Sequence, residues 1–322
     1  MSKLGSPVHQ VKEAFRSVTK EGVSKHAEKA KHNGQSPYIH AWRTAKNYTE
    51  IGCAFVKFAG VRDIRTLTPE HGAAYLRHLQ EHGGKGGQPG SAWTVKQAAS
   101  ALHKLELGIE ARYGVKVSLL PADWVGPVRH EEDKKDIRAP YTREEMAKLL
   151  SAVSQRNPEM GTVCKVMAET GLRISSVIGH RDGMSGGRGI RVKDLDIEGC
   201  RVRNYGKGGH PTGWLQVSKE TMAELKALAN GKGRNERVFN VKYDQVRHEV
   251  VKVARQTKAE YRALHGFRYF FANARYQEYR QQGMSDLEAR KALAKDLQHH
   301  RISVTRVYVP GVGWVTISAS DA

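Results

Sequence analysis

Apolar residues recur every three or four positions through most of this chain, the period of helices with one buried face. Val11, Ala14, Phe15 and Val18 line one face of an otherwise polar, basic stretch. Trp42, Ala45, Tyr48 and Phe55 begin a longer run. Thr68-Pro69-Glu70 marks a helix start, with a capping hydroxyl, a proline in the first turn and an acid at the positive end. Ala73, Leu76 and Leu79 then face one way, and Gly83-Gly84 stops the helix. The stretch GGKGGQPGS (83–91) reads as a flexible loop. From Trp93 a long helix carries Val95, Ala98, Leu102, Leu105 and Ile109.

The second half opens at Thr142. Thr142-Arg-Glu-Glu145 is a capping box, and Met146, Leu149, Leu150 and Val153 supply the apolar face behind it. Val163, Val166 and Met167 continue the helical pattern. After Gly189 the period shifts to two: Ile190, Val192, Val202, Tyr205, Trp214, Leu215 and Val217 predict a small antiparallel sheet. Ser218 caps a helix bearing Met222, Leu225 and Leu228, closed by Gly231. The remainder is helical up to the tail. The expected fold is mainly α with a small antiparallel β-sheet.

Charge narrows the function. The 322 residues hold 53 Lys+Arg against 33 Asp+Glu, a formal net charge of +20. So large a positive excess favours a polyanionic partner, nucleic acid first and an anionic membrane surface second. No run reaches the ~18 apolar residues of a membrane span, and the first residues lack the continuous apolar core of a secretory signal. The cytoplasm or the nucleoid is the expected location. Cys53, Cys164 and Cys200 are odd in number and outside any CxxC pair, so neither a zinc site nor a disulfide framework is expected. No GxxxxGK[ST] phosphate loop is present. RHEEDKKDIRAP (129–140) reads as a charged linker, its HEED cluster as solvated charge rather than a metal site. Lys96, His103 and Lys104 form a basic helix face, either solvated or in contact with phosphate.

Four segments carry candidate chemistry. Glu169-Thr-Gly-Leu-Arg173-Ile174 places an arginine after a Gly-Leu bend, and a guanidinium fork suits phosphate. Tyr205-Gly206-Lys207-Gly208-Gly209-His210 reads as a hairpin turn that leaves Lys207 projecting. His265 and Arg268 share one helical face, with Phe267, Phe270 and Phe271 burying the others. His299 precedes Tyr308 by nine positions, and Ile302, Thr305 and Val307 pack the turns between. Any one of these residues alone is more often a solvated or core-flanking side chain. As an ordered set on a basic chain they supply what in-line attack on a phosphodiester requires: a nucleophile, cationic donors and a proton donor.

In this order the segments resemble the catalytic domain of the tyrosine recombinase, or phage-type integrase, family over roughly residues 140–310. The preceding helices resemble that family's core-binding domain. By composition residues 1–36 read as a basic arm or tail, either partly ordered or an extra DNA-contacting arm. The resemblance implies a helical core-binding domain over 37–128, the linker 129–140, an α+β catalytic domain over 141–310 and a C-terminal tail over 311–322 that contacts a neighbouring subunit. It implies that Arg173 and Arg268 clamp the scissile phosphate, that Lys207 is the general acid for the 5′-oxygen, and that His265 assists proton transfer to or from the nucleophile. His299 would bond the phosphate, and Tyr308 would attack to give a 3′-phosphotyrosyl bond. No metal, ATP or other cofactor is needed.

The implied function is site-specific recombination of double-stranded DNA by a homo-tetramer, for a mobile genetic element or a chromosome, with room for an accessory DNA-bending or directionality protein. Type IB topoisomerase-like relaxation and a non-cutting DNA-binding protein of recombinase descent are the alternatives. Tyr276 and Tyr279 are next in line as nucleophile.

The chain departs from the family pattern at several places. Ser176 stands where an acid is common, and Gln298 where glycine usually precedes the histidine. His300 adjoins His299. Residues 277–295 are longer than the usual connection, and 179–189 looks inserted. Pro310, Gly311 and Gly313 oppose an immediate helix after Tyr308, and Val315-Thr-Ile317 suits an added strand.

Overall fold

In a computed structural model of the chain, residues 5–127, 140–179, 188–205, 211–299 and 301–309 are described. The chain divides into two compact units, Met1–Lys134 and Lys135–Ala322.

The first unit is helical: α1 (Pro7–Ser17), α2 (Lys25–Lys31), α3 (Trp42–Ala59), α4 (Pro69–His82) and α5 (Ala92–Tyr113). Helix α5 is its spine. Val95, Ala98, Leu102, Leu105 and Ile109 are all buried in one core with Phe55, Ile64 and Leu76. Setting 1–36 apart as an arm or tail underrates its first helix. Helix α1 packs against α3 and α5, with Val11, Ala14 and Phe15 fully buried. The stripe read from the sequence has a place to go, which a basic composition did not reveal. Gly108 makes the approach possible, since a β-carbon there would meet the Ala14 carbonyl oxygen at 2.4 Å. Buried Gln10 fastens α1 from its polar end, donating to the carbonyls of Gly5 and Arg62 and accepting from the Ile64 N–H. At α4 Thr68 forms a capping box with His71, Thr68 Oγ1 and His71 Nδ1 lying 2.9 Å apart, and Glu70 sits in the first turn as expected.

The second unit runs α6 (Arg143–Arg156), α7 (Pro158–Thr170), α8 (Ile174–Ile178), β1 (Leu195–Asp196), β2 (Arg201–Tyr205), β3 (Pro211–Gln216), α9 (Lys219–Ala229), α10 (Tyr243–Gln256), α11 (Gly266–Gln281), α12 (Asp286–Asp296) and α13 (Thr305–Tyr308). Helix α7 is its centre, packed against α6, α8, α9 and α11. The capping box of Thr142 and Glu145 starts α6 as expected. The sheet has the order β1-β2-β3, antiparallel throughout. It is narrower than the alternation suggested: Ile190 is buried just ahead of it, and Val192 begins a 3-10 turn. A second cluster joins α11, α12 and α13 through Phe271, Ala272, Tyr276, Leu293, Leu297 and Tyr308. Among the described residues no helix is long and apolar enough to cross a membrane. The tail 310–322, the linker residues 128–139, most of the inserted segment (180–187), residues 206–210 with Lys207, and His300 lie outside the described residues.

Candidate active site

Arg268 is the hub. It lies in the first turn of α11 and is only 3% exposed. Its Nη1 donates to the Gly171 carbonyl at 2.5 Å and its Nη2 to the Leu297 carbonyl at 2.7 Å. Both carbonyls sit at helix C-termini. Gly171 closes α7 in the left-handed conformation (φ 65°), and Leu297 closes α12. Backbone carbonyls at a helix's negative end are what a buried cation needs when no carboxylate is near. Burial pulls the guanidinium below its usual range; Tyr308 opposes that shift and Arg173 adds to it.

Two further partners complete the fork. Arg268 Nε donates to the Tyr308 hydroxyl at 3.1 Å, and Nη2 lies 3.1 Å from His299 Nε2. A guanidinium only donates, so Nε2 is the acceptor in this contact when the imidazole is neutral. Tyr308 ends the single turn α13 and is 4% exposed. Its ring is bracketed by three others, with centroids 5.0 Å away for Tyr269, 5.9 Å for His265 and 6.0 Å for His299. Asn273 Nδ2 donates to the carbonyls of Tyr308 and Tyr269, at 2.7 and 2.9 Å. The phenol is thus fixed through its ring, its hydroxyl and its backbone.

His265 caps α11 and precedes Arg268 by three, so the expected one-face relation holds. The atoms crowded around its imidazole pull it down to about 4, with Arg268, Arg173 and His299 adding charge repulsion. The ring is neutral at pH 7, and the residue keeps access to solvent. Arg173 is the N-cap of α8, two residues past the Gly171 bend, and is exposed. It lies close enough to repel charge on both His265 and Arg268, and no hydrogen bond or ion pair of its side chain occurs among the described residues. The structure therefore brings His265, Arg268, His299 and Tyr308 into one cluster, with Arg173 near enough to act on two of them. Lys207 is not described; the strand before it is. Tyr205 donates to fully buried Asp194 at 2.7 Å, with the Arg188 guanidinium 3.5 Å over its ring.

Sequence reasoning missed several participants. Glu169, noted only as part of its motif, ties the end of α7 to the start of α9 by accepting from Ser218 and Thr221. Tyr269 and Asn273, one and five positions after Arg268, form a helical pair whose i, i+4 spacing was a usable signal. Ser176 sits in the first turn of α8, its N–H on the Arg173 carbonyl. Tyr276 and Tyr279 donate to Asp286 and Asp296, both at 2.6 Å. Burial and then the carboxylate push both phenols up, Tyr279 to about 12, which disfavours either as an attacking phenolate. Among the described residues no cluster of His, Cys, Asp and Glu could hold a metal ion.

No protein-family profile and no curated protein matches the chain by sequence. Solved structures do match in fold. The XerH site-specific recombinase bound to a palindromic difH substrate, a post-cleavage complex, superposes with a TM-score of 0.60 at 15% identity, over 95% of this chain and 94% of that one. The Tn1549 transposon integrase in complex with a circular intermediate DNA gives 0.57 at 15%, over 96% and 97%. A lambda integrase dimer bound to a COC′ core site gives 0.56 at 17%, over 87% and 93%. The chain has the tyrosine recombinase fold.

Proposed function

We propose that this chain is a site-specific DNA recombinase that cuts and rejoins double-stranded DNA through a 3′-phosphotyrosyl intermediate. The observation that carries the reading is the contact of Arg268 with Tyr308 inside a cluster that also holds His265, His299 and Arg173. A phosphate entering beside that phenol meets two guanidinium groups, which offset the charge that builds up in the transition state. Neutral His265 takes up the Tyr308 proton as the phenol oxygen bonds to phosphorus. The P–O5′ bond breaks, and the leaving oxygen takes a proton from Lys207. The tyrosyl ester keeps the phosphodiester energy, so reversal with another 5′-hydroxyl rejoins the strand without ATP or metal. The net charge of +20 suits the backbone of a duplex.

A homo-tetramer on two paired sites, a nucleoid location, a mobile element or chromosome as the carrier, and an accessory DNA-bending or directionality protein belong to the same reading. So do the assignment of 37–128 as a core-binding domain, 141–310 as the catalytic domain and 311–322 as a subunit-contacting tail.

The test uses nicked duplexes tiling the DNA that flanks the gene, since such enzymes often act beside it. The wild-type chain is expected to leave a protein–DNA adduct on a denaturing gel, and Tyr308→Phe to bind the same duplexes without one. An adduct that persists in the Phe variant moves the nucleophile elsewhere. No adduct from wild type on any duplex leaves a non-cutting DNA-binding protein. Relaxation of supercoiled plasmid without strand exchange between two marked duplexes favours the topoisomerase alternative.

A further inference from the structure

Gln298 is in the left-handed conformation, with φ at 56°. It stands at the end of α12, where the Gln298 N–H bonds the Lys295 carbonyl and the His299 N–H bonds the Ala294 carbonyl. That double closure is the Schellman motif, and Gln298 holds the position glycine normally takes. Glycine adopts this backbone freely, whereas a residue with a β-carbon is strained there. The chain thus carries a side chain where the turn itself favours having none.

The side chain has a specific partner. Gln298 Oε1 accepts a hydrogen bond from Asn204 Nδ2. Asn204 is equally out of place. It lies on the inward face of β2, where Val202 is fully buried, and is itself only 3% exposed. Alternation along the strand calls for an apolar residue there, and a buried amide requires hydrogen-bond partners. A register irregularity between Asn204 and Tyr205 re-aims this end of the strand. Two residues that each violate a local rule are bonded to one another.

The bridge spans two elements that the reaction needs to work together. On one side the α12 turn presents the Leu297 carbonyl and His299 to Arg268. On the other, β2 runs directly into the segment carrying Lys207. We propose that Asn204 and Gln298 are positioning residues that tie β2, the strand that precedes Lys207 in the chain, to the turn bearing His299, so that the acid and the phosphate clamp are set in register with each other. The proposal rests on the recombinase reading for its consequence, but the bridge itself is testable without it.

The test is a double-mutant cycle with Gln298→Gly and Asn204→Ala. Gln298→Gly keeps, and even relaxes, the left-handed turn while deleting the amide. Single-turnover cleavage is measured on a nicked duplex and on the same duplex with sulfur replacing the 5′-leaving oxygen, which needs no acid. Each single variant is expected to cleave the oxygen substrate about tenfold more slowly. The double variant should be no slower than either, and sulfur should restore most of the loss. Equal losses on both substrates, or multiplying losses in the double variant, would overturn the coupling. In parallel, NMR follows the Asn204 side-chain amide, expected to be shifted and slow to exchange in wild type and to lose both features in Gln298→Gly while the variant stays folded. An unchanged Asn204 amide removes the bridge. A bridge seen by NMR in a chain that never cleaves would sink the recombinase reading and this role with it.

Discussion

The guanidinium of Arg268 and the hydroxyl of Tyr308 meet at 3.1 Å in the interior of one unit, with the phenol as acceptor. The same fork holds the carbonyls of Gly171 and Leu297 and the ring of His299. A single side chain therefore connects the ends of α7, α12 and α13.

That connection makes the two partners unequal in stability. Tyr308→Phe removes one acceptor and leaves Arg268 its other three, so a loss of about 1 kcal/mol is expected. Arg268→Ala strips the partner from two buried carbonyls and empties the centre of the cluster, for a loss of about 3–5 kcal/mol. Urea unfolding of both variants checks this. Similar losses for the two would mean that the fork does not hold the three helix ends together.

Gly171 is expected to be intolerant for two separable reasons. Its φ of 65° strains any other residue, and an added β-carbon would meet the Phe271 ring at 2.4 Å. Gly231, in the same unit, has φ at 74° with nothing within 4 Å. Gly231→Ala should therefore cost only the backbone strain, about 1 kcal/mol. Gly171→Ala should cost roughly 2–4 kcal/mol, because Phe271 must move as well. Equal costs would show that Phe271 yields freely.

These two glycines also illustrate what was legible in the chain. Glycine at a helix end is local information, and so are the caps at Thr142 and Ser218, the apolar stripes of α5 and α6, and the His265–Arg268 spacing. All were readable because each depends on neighbours within a turn. The convergence of Gly171, Leu297 and Arg268 was not, because it joins carbonyls that have no sequence identity at positions far apart. The burial of α1 was half visible: the stripe Val11, Ala14, Phe15 was there, but a basic composition spoke for a free arm, and only Gly108 on the facing helix reveals the docking place. Gln298 read as a departure from pattern, while Asn204 gave no sign of its own in a short strand. A departure is explained only when its partner is known.

His265 gives a prediction in pH. Its imidazole is held down to about 4, chiefly by the protein atoms crowded around the ring, then by Arg268, Arg173 and His299, against an ordinary value of ~6.5. Depression of a histidine means the folded chain resists protonation, so the ring stays neutral from pH 8 to below pH 6 and charges only as pH falls further. Two-dimensional NMR of the imidazole across pH 4–8 should find His265 titrating well below the exposed histidines, and Arg268→Gln should move its midpoint upward. A midpoint at or above that of exposed histidines would remove it as a neutral proton acceptor at pH 7.

The contact between Arg268 and Tyr308 lies within one chain, which predicts cleavage in cis. Each protomer would then use its own phenol against the phosphate held by its own arginines. Two variants expected to be inactive distinguish this from cleavage in trans: Tyr308→Phe, which lacks the proposed nucleophile, and Arg173→Ala, which keeps Tyr308 but loses an exposed arginine of the proposed clamp. Under cis cleavage every site in a mixture of the two is defective in one part or the other, so mixing should give no more adduct than Arg173→Ala alone. Under trans cleavage the Arg173→Ala chain would lend its Tyr308 to the intact clamp of its neighbour, and adduct would rise well above either protein by itself. The measurement is adduct yield on a nicked duplex at fixed total protein and varied ratio. A yield that peaks at intermediate ratios would show that the arrangement within one chain is not the one that cuts.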